Sequence, residues 1–352
     1  MTRDPRTGAP VVLGVDGGNS KVDVALATAA GGLLAATRGP TVSHQQTKLD
    51  SGMARLEAMV RAAAAEAGLP ATGPVAQICV ASLAGADYPD DIRRLRHAIE
   101  ALGLADRVVV VNDTIGALRA GASRSWGAVL VCGQGVNASV IAPDGRMAGY
   151  PAVGDYAGDW GGGGGIGMAA LRAAVRGRDG RGPHTSFERS VPAFFGKTRP
   201  ADVVRAVYDG RIDWYSGTSR LAPLVFQEAR AGDAVARGIV ERLATELAGM
   251  VNALIRRLRL TRLDIEVVLA GGVFRTDEPG FYASLERQIQ DVAPRATLVH
   301  LRWPPVTGSV LLGLDRLEGE ADPDAASRLR TALGTWDVEE LARKRPMDSE
   351  PR

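Results

Sequence analysis

Apolar and polar positions along this chain alternate between the periods of strands and helices. Residues 11–15 are an apolar run ending in Asp16-Gly17-Gly18, and residues 21–28 then alternate, with Val22, Val24 and Leu26 on one face. Gly31-Gly32 turns the chain into residues 33–36, so the pattern opens with three β-segments joined by tight turns. An Ala-rich stretch predicts a helix over 49–68, stopped by Gly68 and Pro70. A strand over 75–83 follows, then a helix over 88–102 with Asp90 and Asp91 near its N-terminus, where the helix dipole favours them. Residues 108–111 predict a strand and 114–122 a helix. The pattern then restarts with a strand over 126–132, a Gly133-Gln134-Gly135 turn, a strand over 138–142 and a Pro143-Asp144-Gly145 turn. Helices are expected over 169–176, 200–208, 219–231 and 234–259, strands over 265–269 and 297–301, and a last core helix over 309–317.

The same order therefore occurs twice, once from Val11 and once from Trp126: hairpin strands around a glycine turn, then strands alternating with helices. This predicts an α/β chain with one domain over 1–121 and a second over 122–320, the last core helix packing back on the first, and a polar appendage over 321–352. Within that appendage 322–344 reads as helix and the final residues as disordered. Two α/β halves facing one another leave a cleft in which ligands bind. A length of 352 residues suits two domains.

Composition narrows the function classes. Lys and Arg number 42 against 40 Asp and Glu, a net charge of +2, which gives no electrostatic case for a nucleic-acid or membrane partner. Cys79 and Cys132 each lie in an apolar run and read as buried thiols in a reducing compartment, not as a metal set. The opening Met1-Thr2-Arg3-Asp4-Pro5 is not an apolar leader, and no apolar run reaches the roughly 18 residues that span a bilayer. The expectation is a soluble, cytoplasmic protein.

Five motifs can carry chemistry. In Asp16-Gly17-Gly18-Asn19-Ser20-Lys21 a strand enters a tight glycine turn and leaves as a second strand. The glycines let backbone N–H groups approach phosphate oxygens, and Asp16 can hold a metal through water; a plain hairpin is the simpler reading. The spacing is that of neither a Walker A loop nor a dinucleotide fingerprint. Gly133-Gln134-Gly135-Val136-Asn137 repeats the form at the start of the second half. Two such loops facing across a cleft can clamp a polyphosphate. Four valines, 108–111, lead into Asn112-Asp113-Thr114, where Asp113 is either a general base or a helix N-cap. Gly158-Asp159-Trp160 precedes five glycines, 161–165, which read as a ligand loop and not as helix or strand, with Asp159 accepting from sugar hydroxyls. Ala270-Gly271-Gly272 ends a buried strand where flat groups can approach backbone.

Taken in order, these motifs resemble those of the N-acetylglucosamine kinase family, within the BadF/BadG/BcrA/BcrD-type ATPase group of the actin-like superfamily, over residues 10–317. The resemblance implies two ribonuclease H-like actin-type domains with a nucleotide and substrate cleft between them. It implies ATP and Mg2+ as cofactors, with Asp16, Gly17, Gly18, Asn19, Ser20 and Lys21 as the first phosphate loop and Gly133, Gln134 and Gly135 as the second. Gly271 and Gly272 would lie in the adenosine region. Asp113 would take the proton of the sugar 6-hydroxyl, while Ser43, His44, Gly85, Asn112, Asn137 and Asp159 would line the sugar pocket. The implied product is a 6-phosphate of an amino sugar, N-acetylglucosamine first, with glucosamine or another sugar next; a homodimer is compatible. Gln134 and Val136 replace a Thr and a Ser, Trp160 replaces a Glu and Ser43 an Asn, all on the substrate side. Two other functions use the same fold: an ATPase activating an iron–sulfur reductase, and a sugar or nucleotide sensor without catalysis.

Overall fold

The structure is a computed structural model and describes residues 11–214, 216–319 and 321–343. The chain divides into two compact units, one built from the residues up to Trp126 together with those from Leu301 onward, the other from Gly127–His300. Among the described residues each unit holds one five-stranded mixed sheet.

The first unit opens with β1 (Val11–Gly17), β2 (Lys21–Thr28) and β3 (Leu33–Pro40), an antiparallel meander. Then come α1 (Leu49–Glu66), β4 (Ala76–Leu83), α2 (Pro89–Glu100), β5 (Ala105–Asn112) and α3 (Asp113–Gly121). The sheet order is β3-β2-β1-β4-β5, with β1, β4 and β5 mutually parallel. Both faces of β1 and β2 are buried, which explains their near-continuous apolar runs. Parallel pairing sets Gly17 opposite Leu83, and Leu83 opposite Asn112, so the segments that follow these three strands gather at one sheet edge. Helix α1 buries Leu56, Val60, Ala63 and Ala64 in this core, and α2 buries Leu95 and Ile99.

The second unit repeats the plan with β6 (Gly127–Cys132), β7 (Val136–Ile141) and β8 (Met147–Gly149). A helical block follows: α4 (Gly162–Arg178), α5 (Phe187–Phe194), α6 (Pro200–Tyr208), α7 (Ser216–Ser219), α8 (Ala222–Arg230) and α9 (Ala234–Arg257). Then β9 (Glu266–Ala270), α10 (Pro279–Gln290) and β10 (Thr297–His300) complete a sheet of order β10-β9-β6-β7-β8.

The chain then returns to the first unit as α11 (Val306–Glu318) and α12 (Pro323–Arg343). Contact of α11 with β1 and α3 is set by glycine. A Cβ at Gly14 would stand 2.5 Å from a Val310 methyl, and one at Gly308 would overlap the Gly116 carbonyl. Arg119 of α3 and Asp315 of α11 form a nearly buried bidentate ion pair at 2.8 and 3.0 Å. Helix α12 buries Ala325, Leu329 and Leu333, and its Asp337 meets Arg38 of β3 at 2.5 Å. The final residues expected to be disordered, from 345, lie outside the described residues. Among the described residues no helix is long and apolar enough to cross a membrane.

Candidate active site

At the shared edge of the first sheet the loop after β1 turns tightly: Gly18 N–H donates to the Lys21 carbonyl at 2.9 Å, and the Gly18 carbonyl accepts from Thr41 Oγ1 at 2.7 Å. A Cβ at Gly17 would lie 2.6 Å from Leu83 Cδ2, so that Leu83 would have to turn aside. Asp16 stands directly across the β1–β2 ladder from Asp23. Like charges in that relation repel. Asp23 is fully buried and held by Lys21 at 2.7 Å and by both arms of Arg38 at 2.6 and 2.7 Å. Asp16 has no such partner. Burial, then Asp23, then Asp113 push its carboxyl up to about 8, against the weaker pull of Lys21 and Arg38. A cation beside Asp16 would relieve this. Among the described residues no three His, Cys, Asp or Glu side chains cluster to hold a metal. The setting suits Mg2+, which takes one or two carboxylates and completes its shell with water and phosphate oxygens.

The side chains of the first loop are partly committed. Lys21 faces Asp23, and Ser20 is exposed. Asn19 accepts from Ser43 Oγ at 2.7 Å and donates to Gln45 Oε1 at 3.3 Å. Ser43 is buried, its hydroxyl bonded to Asn19 and to the Gln45 N–H at 3.3 Å. His44 packs over Gly85, whose φ of +81° only glycine adopts readily; a Cβ there would stand 2.7 Å from His44 Cε1. His44 Nδ1 is buried without a hydrogen-bond partner, and burial lowers the pKa of the ring.

The helix cap is Asn112, not Asp113. The Asn112 carbonyl oxygen accepts from Thr114 N–H at 3.1 Å and from Thr114 Oγ1 at 2.6 Å, and Asp113 is the first residue of α3. Asp113 is thus not the cap residue; burial raises its carboxyl above the usual range, against the opposing effect of the Thr114 N–H and its own. The first unit thereby carries Asp16 and Asn112 at the ends of β1 and β5, and Asn19, Ser43, His44, Gly85 and Asp113 on the segments that follow β1, β3, β4 and β5. Asp87 joins them without having been singled out by the sequence. Its carboxylate accepts from Asn112 Nδ2 at 2.9 Å and from Gln45 Nε2 at 3.4 Å. The available signal was position: like Asp113, it lies just beyond the C-terminal end of a parallel strand.

In the second unit the second glycine loop is closed by Gly133 N–H donating to the Gly135 carbonyl at 3.0 Å. The five glycines are not a loop. Gly162 to Gly165 form the first turn of α4, and Gly163 and Gly164 donate to the carbonyls of Gly133 and Gln134 at 2.8 and 2.9 Å. Their poor helix propensity is overridden because the turn lies against bare backbone: a Cβ at Gly162 would fall 2.7 Å from Gly135 Cα. Gly271, at φ +106°, makes another such contact, where a Cβ would stand 2.9 Å from the Gly133 nitrogen. Gly133, Gly163 and Gly272 border a cavity of about 680 Å³, whose other walls include Phe194, Arg220, Phe226, Arg230 and Asp277. The Arg220 guanidinium lies 5.6 Å from the Phe194 ring, Arg230 pairs with Glu278 at 3.2 Å, and Tyr282 donates to the Phe274 and Thr276 carbonyls at 2.7 and 3.1 Å, fixing the rim. These lining side chains carried no motif; the sequence signal was Phe226 and Arg230 one helical turn apart on α8. Asn137, buried in β7, turns its carbonyl oxygen to the Ala138 N–H at 2.7 Å. Asp159 accepts from the Gly154 N–H at 3.2 Å, and Arg242 stacks 3.9 Å over the neighbouring Trp160.

Known proteins resemble this chain in sequence and fold. A sequence model of the BadF/BadG/BcrA/BcrD ATPase family matches residues 13–313. N-acetyl-D-glucosamine kinase of Dictyostelium discoideum is 25% identical over 318 residues, spanning 87% of this chain and 98% of that protein. An N-acetylmuramic acid/N-acetylglucosamine kinase of Clostridium acetobutylicum is 26% identical over 305 residues, spanning 86% and 97%. In fold, the chain is similar to the crystal structure of a candidate N-acetylglucosamine kinase from Chromobacterium violaceum, with a TM-score of 0.64 at 24% identity over 86% of this chain and 99% of that one.

Proposed function

The chain belongs to the BadF/BadG/BcrA/BcrD ATPase family, and from that premise we propose that it is an ATP-dependent kinase acting on the primary hydroxyl of an amino sugar. The observation that carries the reading is Asp113. Asn112 is the cap of α3 in its place, and Asp113 stands at the C-terminal end of a parallel strand with a carboxyl that burial raises above its usual range, the direction that favours proton acceptance. The two kinases at 25% and 26% identity, each matched over nearly its full length, support an amino sugar as the acceptor.

In this reading Asp113 takes the proton of the sugar hydroxyl as its oxygen bonds to the γ-phosphorus. The bond from γ-phosphorus to the bridging oxygen breaks, and ADP leaves. The glycine turns after β1 and β6 present backbone N–H groups to the phosphates, and the cavity beside Gly272 takes the adenosine. Bound Mg2+ would be held through Asp16 and would supply charge neutralisation on the phosphates. Gly85 and His44 shape the sugar side in the first unit, and Asn137 and Asp159 offer polar atoms in the second. N-acetylglucosamine is the first substrate on this reading, because a neutral acetamido group needs no counter-charge.

An iron–sulfur activating role is disfavoured. Cys79 and Cys132 are fully buried in strands, with thiols pushed up to about 12, whereas cluster ligands must be deprotonated and presented. Coupled ADP release measured with N-acetylglucosamine, glucosamine and glucose tests the proposal. We expect kcat/KM to be highest for N-acetylglucosamine and lowest for glucose. Glucose as the best substrate overturns the amino-sugar reading, and no turnover with any sugar overturns the kinase.

A further inference from the structure

We propose that Asp87 is a positioning residue for the general base: through the Asn112 side chain it fixes the first turn of α3 and with it the carboxylate of Asp113. Hydrogen-bond direction assigns this role. Asn112 uses its carbonyl oxygen entirely on α3, accepting from both the N–H and the hydroxyl of Thr114. For that oxygen to face the helix, its amide nitrogen must face an acceptor on the other side, and Asp87 Oδ1 is that acceptor at 2.9 Å. A second run of donors ends on the same carboxylate. Ser43 Oγ donates to Asn19, Asn19 to Gln45, and Gln45 to Asp87 Oδ2. Asp87 is thus where two polar chains terminate, one from the first glycine turn and the segment after β3, the other from the cap of α3. An ionised carboxylate can accept from both chains at once, while the chain to α3 requires only the acceptor that faces Asn112.

The placement has an electrostatic cost that packing alone does not explain. Asp87 is partly buried, and Asp113 and Asp91 both oppose its charge, so that its carboxyl is pushed up to about 6. Its hydrogen bonds to Gln45 and Asn112 work in the other direction. A misdirected Asn112 would present its NH2 to the Thr114 donors and loosen the turn that carries Asp113. Small misplacements of a reacting group lower kcat while leaving ground-state affinity nearly intact.

The inference rests on the kinase reading for its consequence but not for its geometry, and the test separates the two. Asp87→Ala, Asn112→Ala and the double variant are compared with the wild type and with Asp87→Asn, which keeps an acceptor for Asn112. Two readouts are used: kcat and KM for N-acetylglucosamine, and amide hydrogen exchange at Thr114. We expect each Ala variant to lower kcat by about tenfold or more, with a sugar KM within about threefold of wild type for Asp87→Ala, the variant outside the expected sugar pocket. The double variant should be no worse than the poorer single, since both break one chain. Asp87→Asn should recover most of the kcat. Thr114 should lose exchange protection in both Ala variants and keep it in Asp87→Asn. Multiplying effects, a change confined to KM, or unaltered Thr114 exchange would each overturn the assignment. Should the wild type phosphorylate no sugar, the kinase reading fails alone, and exchange at Thr114 still decides for or against Asp87.

Discussion

Asp16→Asn should make the metal-free protein more stable while abolishing its activity. Asp16 is partly buried, opposite Asp23 and near Asp113, and its carboxyl titrates near 8 instead of 3.8. The folded pKa lies above the unfolded one, so the folded state binds the proton more tightly. The penalty for ionising Asp16 is absent below about pH 4, grows as pH rises, and is complete above about pH 8. Every tenfold difference in proton affinity is worth about 1.4 kcal/mol, which bounds the penalty at pH 7 at about 4 kcal/mol; partial solvent access reduces it to about 1–3 kcal/mol. Asparagine is isosteric and never ionises. Thermal unfolding with EDTA at pH 5, 7 and 8.5 measures the difference. The variant should gain little at pH 5 and melt about 3–8 °C higher at pH 8.5, given about 2–4 °C per kcal/mol for a unit of this size. Magnesium with ATP should narrow the gap by stabilising the wild type alone. A variant less stable at every pH, or a gap that does not change with pH, would refute the electrostatic account of this carboxylate.

Two further outcomes follow from the site. Asp113→Asn should lower kcat by about 10²–10⁴-fold, the usual contribution of a proton acceptor, with sugar binding by calorimetry retained; unchanged turnover removes Asp113 from the chemistry. Gly271→Ala forces a left-handed φ on a residue whose Cβ meets the Cys132 carbonyl, so it should destabilise the protein by about 2 kcal/mol or more and raise KM for ATP more than KM for the sugar, read by denaturation and initial rates.

The repeated strand–turn–strand pattern was legible because β1, β2, β6 and β7 combine apolar runs with glycine turns, and both signals are local. Helix α4 was not legible at its start. Four glycines argue against a helix by propensity, and what overrides them is contact with Gly133 and Gln134, far off in sequence. Pro192 inside α5, and Pro279 with Gly280 at the head of α10, hid those helices in the same way. Among site residues, Asp16 and Asp113 stood out because each closes an apolar strand. The cap assignment did not, because Asn112 and Asp113 are both good caps and only the Thr114 bonds choose between them. Asp87 and the arginines of the cavity gain meaning only from partners brought together by folding.

The return of α11 to the first sheet has a consequence during synthesis. Gly14 and Val12 of β1 pack against Val310 and Gly313, so that face of the sheet lacks its cover until translation has passed the whole of Gly127–His300. At about 5–20 residues per second the wait is on the order of ten seconds or more. The inserted unit meanwhile emerges as one continuous stretch and can fold first. A nascent chain halted after His300 therefore carries a finished insertion beside an uncovered apolar sheet, the kind of surface chaperones bind and neighbouring chains aggregate on. Growth conditions that slow elongation across the insertion should lower soluble yield while leaving the folded protein, once made, as stable as before.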